Sequence, residues 1–168
     1  MVRLTGSILL MLGFCGLAFD KVKEDQRKIK RLHILRDFVV FLLKEIQYFG
    51  APIPYICREY EKRTKGELKN FLREVCNGFE NNPGSTFEKI WLEKIQSYGK
   101  QKEERKQLEA LCSNFGFLNT GMQQAAIEHF LNDLEKLILQ KEKKYQDNKK
   151  LVLYFGAMSG LLLSILLL

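Results

Sequence analysis

Apolar residues fall into two continuous runs at the ends of the chain and a series of helical stripes between them. Leu4 to Phe19 and Leu151 to Leu168 carry no Asp, Glu, Lys, Arg or His, whereas from Asp20 to Lys150 charged residues interrupt the apolar ones every few positions. In this middle part Ile29, Leu32, Leu35, Val39, Leu42, Ile46 and Phe49 recur at three- and four-residue steps, the spacing of one helix face. Gly50-Ala51-Pro52-Ile53-Pro54 stops that helix. A short amphipathic segment follows from Pro52 to about Arg63, Gly66 marks a break, and Leu68, Phe71, Leu72, Val75, Cys76 and Phe79 predict another helix. Asn81-Asn82-Pro83-Gly84 is turn sequence. Ser85 with Glu88 predicts a capping box, in which each side chain bonds the other's free backbone N–H, ahead of the stripe Phe87, Ile90, Trp91 and Ile95. A further helix is expected from Lys102 to Phe115, with Leu108, Leu111, Cys112 and Phe115 inward, and Gly116 and Gly121 bracket the next loop. Ala126, Phe130, Leu134, Leu137 and Ile138 then begin a last helix that meets no Gly or Pro before Gly156. No stretch alternates with the period of a strand. The expected fold class is all-α, an antiparallel helical bundle flanked by two terminal transmembrane helices.

The terminal runs set the domain organisation: a membrane segment at 1–19, a helical bundle at 20–150 and a second membrane segment at 151–168. A bilayer core needs roughly 17 to 25 apolar residues in a helix. The C-terminal run has 18 and the N-terminal one 16, which local thinning or the adjoining Met1 and Val2 can make up. The first run also has the length of a signal-peptide core, but Gly16-Leu17-Ala18-Phe19 supplies no small-x-small cleavage site. Positive charge crowds the inner flanks. Lys21, Lys23, Arg27, Lys28, Lys30 and Arg31 follow the first run, Lys141, Lys143, Lys144, Lys149 and Lys150 precede the second, and only Arg3 lies outside. Such an asymmetry predicts a cytoplasmic central domain and a two-pass protein of the cell membrane. Attraction of these side chains to an anionic leaflet accounts for much of the formal net charge of +7 without nucleic acid.

Chemistry is sparsely represented. Cys15, Cys57, Cys76 and Cys112 are far apart and form no C-x-x-C, and His33 and His129 have no ligand spacing, so no metal is expected. The cysteines read as small hydrophobes on buried faces. The phosphate-cradling, dinucleotide, zinc-protease and nucleophile-elbow motifs are missing, and no catalytic or cofactor-binding residue, cofactor or small-molecule substrate is expected. Glu24, Asp25, Glu103 and Glu104 are interleaved with Lys and Arg, the pattern of a solvated face with exposed ion pairs. Glu45 lies near the end of the long stripe, just before Tyr48 and Pro52. A capping or interhelical ion-pair role suits it better than proton transfer.

Several stretches carry a resemblance to a known family. Arg27-Lys28-Ile29-Lys30-Arg31-Leu32, Glu45-Ile46-Gln47-Tyr48, Pro52-Ile53, Phe115-Gly116 and the Leu-rich tail after Gly160, together with the length and the two apolar ends, resemble stage III sporulation protein AB. In that family the Phe-Gly pair is usually followed by Leu-Gly, an Asp and a Gln. This chain has Gln123 and Gln124 but a shorter loop without the Leu-Gly and Asp. The resemblance implies a cytoplasmic helical domain similar to those of type II secretion F and type IV pilus platform proteins. By that resemblance, the protein would be a non-enzymatic scaffold in the mother-cell membrane around the forespore. It would dock a cytoplasmic secretion-type ATPase and join other membrane proteins of the sporulation channel complex, and Glu45, Tyr48 and Pro52 would mark the partner-binding region. The rival reading from composition is a basic membrane-anchored protein that binds nucleic acid or anionic lipid. The lysines crowd the membrane flanks rather than interleaving with aromatics on one helix, which disfavours nucleic acid.

Overall fold

The computed structural model describes residues 2–82, 84–98, 102–116 and 120–167, with the side chains of 2–19, 21, 120, 153, 156–157 and 159–167 outside that description. The described residues form six helices and no strand: α1 (Val2–Phe49), α2 (Ile53–Arg63), α3 (Glu67–Asn81), α4 (Phe87–Ser97), α5 (Lys102–Cys112) and α6 (Thr120–Leu167). The all-α expectation holds for them. The chain divides into two compact units, one of residues 1–30 with 138–168 and one of residues 31–137. Among the described residues no helix is long and apolar enough to cross a membrane. Thus the two flanking transmembrane helices expected from the sequence gain no support there, and the side chains of the apolar runs lie largely outside the description.

The unit of residues 31–137 is built by the predicted stripes. Leu32, Leu35, Val39, Leu42 and Ile46 of α1 are buried, joined by Phe38, which sits one position from Val39 on the same face. Phe49 departs from the stripe: it is the last residue of α1 and is 75 % exposed. Gly50 takes φ +57 and its N–H bonds the Ile46 carbonyl at 3.1 Å, the left-handed stop that glycine adopts without steric cost. Pro52 is the N-cap residue of α2, with Pro54 in the first turn, where a missing N–H removes no helical bond.

Helices α2 and α3, α3 and α4, and α4 and α5 pack as sequence neighbours. Their shared centre is Trp91, fully buried in α4. Phe71 and Phe115 meet its ring edge-on at 4.8 and 5.0 Å, and Phe38 and Phe87 lie 6.4 and 5.9 Å away. The indole N–H donates to the Leu108 carbonyl at 3.0 Å, so α1, α3, α4, α5 and the turn after α5 meet around one side chain. Aromatic pairs of this kind contribute roughly 0.5–1.5 kcal/mol beyond their area.

Three helix boundaries differ from the sequence reading, one being the end of α5 at Cys112 rather than Phe115. The N-cap of α4 is Thr86 rather than Ser85, and its hydroxyl accepts from the Lys89 N–H at 3.3 Å. The Ser85 N–H is already bonded to the Asn82 carbonyl at 3.0 Å in the preceding turn, which moves the cap on by one residue. Gly121 lies inside α6 rather than at a loop edge. The loop after Gly116, residues 117–119, is outside the described residues.

Glu104 departs from the solvated-face reading in which it was grouped with Glu24, Asp25 and Glu103. It is only 5 % exposed, accepts a hydrogen bond from the Tyr98 hydroxyl at 2.6 Å, and lies 3.8 Å from the Arg31 guanidinium, which also pairs with Glu67 at 2.5 Å. Its other carboxylate oxygen has no hydrogen-bond partner among the described residues. Burial pushes the Glu104 carboxyl above its ordinary value, against the opposing pull of Tyr98 and Arg31. Glu61 has the opposite balance. Desolvation raises it, but Arg73 at 2.9 Å and Arg58 together outweigh that and hold it below the ordinary carboxylate value.

Candidate functional site

Within residues 31–137 a groove of about 430 Å³ opens where the end of α1, the start of α2, the start of α4 and the turn after α5 come together. One wall is Ile46 and the run Gly50 to Pro54, held in shape by the left-handed glycine and by the Ala51 N–H bonded to the Glu45 carbonyl at 3.3 Å. The opposite wall is the first turn of α4, Thr86 to Glu88, with Phe115 and Gln123 completing it.

The polar atoms of this wall are fixed. The Gln123 side-chain amide donates to the Phe115 carbonyl at 3.0 Å, which ties the first turns of α6 to the turn after α5. The Glu88 carboxylate leans over Gly116 so closely that a Cβ there would stand 3.0 Å from its Oε1. A side chain at this position would make the flexible end of Glu88 give way by a few tenths of an ångström. Glu88 lies in the first turn of α4, where the exposed N–H groups and the helix dipole favour a negative charge.

The three residues singled out from the sequence are placed differently from one another. Pro52 is exposed and lines the groove. Tyr48 is 73 % exposed at the end of α1, so its ring does not pack in the core, and it lies two residues before the groove-lining Gly50. Glu45 is half-buried, and its backbone carbonyl rather than its carboxylate makes the capping contact. Sequence reasoning missed Glu88 and the Phe87 ring as part of the same surface. Their signal was there in the first turn of α4, but nothing in the spacing connects it to Pro52. Exposed apolar side chains flank the lining residues in sequence: Tyr48, Phe49 and Tyr55 on one side and Met122 next to Gln123 on the other.

Among the described residues no three His, Cys, Asp or Glu side chains come together to hold a metal. Cys57, Cys76 and Cys112 are buried free thiols, and burial raises all three, Cys76 to about 11 and Cys112 to about 12, so they stay protonated and unreactive at neutral pH. His129 is an exposed residue 3.3 Å from Asp133 on α6. What the groove offers is shape, apolar surface, exposed aromatic neighbours and one carboxylate, the components of a recognition surface.

Comparison with curated proteins and with solved structures returns no match. Comparison with protein families returns one that takes in nearly the whole chain, residues 3–168, and is described as stage III sporulation protein AB. Residues from stretches that carry the resemblance in the sequence, Ile46, Pro52-Ile53 and Phe115, lie up to 69 residues apart and line one groove. On the family match, the chain belongs to the stage III sporulation protein AB family, which gives it a role in sporulation.

Proposed function

We propose that the protein is a non-enzymatic platform of the sporulation channel complex, anchored in the mother-cell membrane by its apolar ends, and that the groove beside Pro52 docks a cytoplasmic secretion-type ATPase. The observation that carries this reading is the convergence of Pro52-Ile53, Phe115 and Gln123 on one concave surface. Residues needed only for packing would be buried, yet Tyr48, Phe49 and Pro52 at this place are exposed. Exposed aromatics beside a groove suit protein recognition, since Tyr is enriched among the residues that dominate interface energies. The anchoring half of the proposal rests on the uncharged runs Leu4–Phe19 and Leu151–Leu168 and on the lysines and arginines at their inner flanks.

The docking half is tested by cross-linking. A photoreactive residue in place of Tyr48 in the full chain should label the ATPase of the same complex in sporulating cells, and one in place of Leu92, exposed on α4 and outside the groove lining, should not. Equal labelling from both positions would remove the groove from consideration. The anchoring half is tested separately by Ser85→Cys with a membrane-impermeant thiol reagent. An introduced thiol in a cytoplasmic domain stays unlabelled in intact cells and reacts after permeabilisation, whereas labelling of intact cells would reverse the orientation.

A further inference from the structure

The first turns of α5 carry a feature that neither packing nor the groove uses. Arginines in the unit of residues 31–137 are otherwise held: Arg31 pairs with Glu67, Arg36 with Asp37, Arg58 with Glu80, Arg73 with Glu61, and Arg63 stacks 5.0 Å from the Phe41 ring centroid. Among the described residues Arg105 forms no ion pair, although Glu109 lies one helical turn further on. With Lys102, Lys106 and Glu109 it lines a hollow of about 440 Å³ beside α5. Lys102 opens the helix, at the end where the helix dipole itself is positive. Three cations, one of them at the positive end of the helix, are therefore gathered around a concavity with no ion pair among the described residues, although Glu109 lines the same hollow.

We infer that this hollow binds an acidic segment of a partner protein, through Lys102, Arg105 and Lys106, with Glu109 setting the direction of the bound segment. Lys102 and Lys106 are separated by about 6 Å along the helix axis at 1.5 Å per residue. That spread of charge suits successive carboxylates on a peptide better than one compact anion. Glu109 makes the row of charges positive, positive, positive, negative along the helix. A phosphate group or an anionic membrane would bring like charge against Glu109, whereas a peptide can present a basic residue there. Planar, bidentate pairing of Arg105 with one carboxylate supplies the geometric anchor. None of these residues lines the groove beside Pro52, so the inference stands independently of the docking proposal.

The test uses the full chain in an uncharged detergent and a fluorescein-labelled peptide of four glutamates followed by a lysine. A second peptide with the lysine first, inorganic phosphate as competitor, and phosphatidylglycerol vesicles complete the set. The expected result is binding of the first peptide, weakened about fivefold by Arg105→Gln and about thirtyfold when Lys102→Gln and Lys106→Gln are added, in line with additive, partly exposed charge pairs. The same change of charge in Lys65→Gln or Lys69→Gln should alter affinity less than twofold. Glu109→Lys should erase the preference between the two peptides. The inference is overturned if the control variants weaken binding as much as the Arg105 variant, which would mean a merely solvated basic face. Millimolar phosphate that displaces the peptide fully, or vesicles that bind the wild-type chain in an Arg105-dependent way more tightly than the peptide does, would also overturn it.

Discussion

The side-chain amide of Gln123, in the first turns of α6, donates to the backbone carbonyl of Phe115 at 3.0 Å. The same Phe115 ring meets Trp91 edge-on at 5.0 Å. Groove wall and core are therefore joined through one residue, and the shape of the groove depends on the packing beneath it.

Loss of that bond should be felt more in binding than in stability. Gln123→Ala is expected to cost about 1 kcal/mol, the usual net worth of one hydrogen bond. For a unit of this size that lowers the melting temperature by roughly 4–8 °C. Partner affinity should fall further than a surface alanine elsewhere on α6, such as Glu128→Ala, would produce. Parallel melting and binding measurements on the two variants check this, and equal affinities would mean that Gln123 shapes nothing the partner reads.

Trp91 should be the residue the fold tolerates losing least. Trp91→Phe removes the N–H bonded to the Leu108 carbonyl and leaves a gap among Phe38, Phe71, Phe87 and Phe115. Cavity and lost hydrogen bond together are worth about 2–4 kcal/mol. A melting temperature lower by at least about 10 °C is expected from thermal circular dichroism. A fall of only one or two degrees would show that the aromatic cluster is not the centre of the unit.

Much of this core was legible in the amino-acid order. Leu32, Leu35, Val39, Leu42 and Ile46, and again Leu108, Leu111 and Cys112, are buried as their spacing predicts, because a helix with one apolar stripe has only one face to bury. Glu104 escaped for a physical reason. It stands four residues before Leu108 and seven before Leu111, on the inward face, but charge composition alone assigns such a residue to solvent. Its partners Tyr98, Arg31 and Glu67 are supplied by three other segments. The groove was half legible. Pro52 was singled out from the sequence, but Glu88 and Gln123 join it only through tertiary folding, which no local period encodes. Phe49 was misplaced because the stripe was extended through its last turn, one residue short of the left-handed glycine that ends it.

Stability should depend on pH through Glu104 and Glu61 in opposite senses. The folded Glu104 carboxyl titrates above its ordinary value of 4.5. The folded state then holds the proton more tightly, so the contribution is fully present below 4.5 and is lost as pH rises through the raised value. Glu61 is held below 4.5, so its contribution is present above that pH and is lost as pH falls through the lowered value. Melting curves between about pH 3 and 8 should show Glu104→Gln flattening the decline on the upper side and Glu61→Gln flattening the one on the acid side. Tyr98→Phe, which leaves Glu104 without its hydrogen bond, should destabilise by about 1–3 kcal/mol. If Glu104→Gln leaves the upper side of the profile unchanged, Glu104 does not titrate as a buried group.

The central claim is that the surface beside Pro52 binds the secretion-type ATPase, and the dissociation constant of that complex measures it most directly. With the full chain in an uncharged detergent and the purified ATPase of the same complex, Tyr48→Ala should weaken binding at least tenfold, a loss of about 1.4 kcal/mol. Because Tyr48 is 73 % exposed, its melting temperature should stay within a few degrees of the wild type. A dissociation constant unchanged by Tyr48→Ala, with the fold intact, would contradict the account.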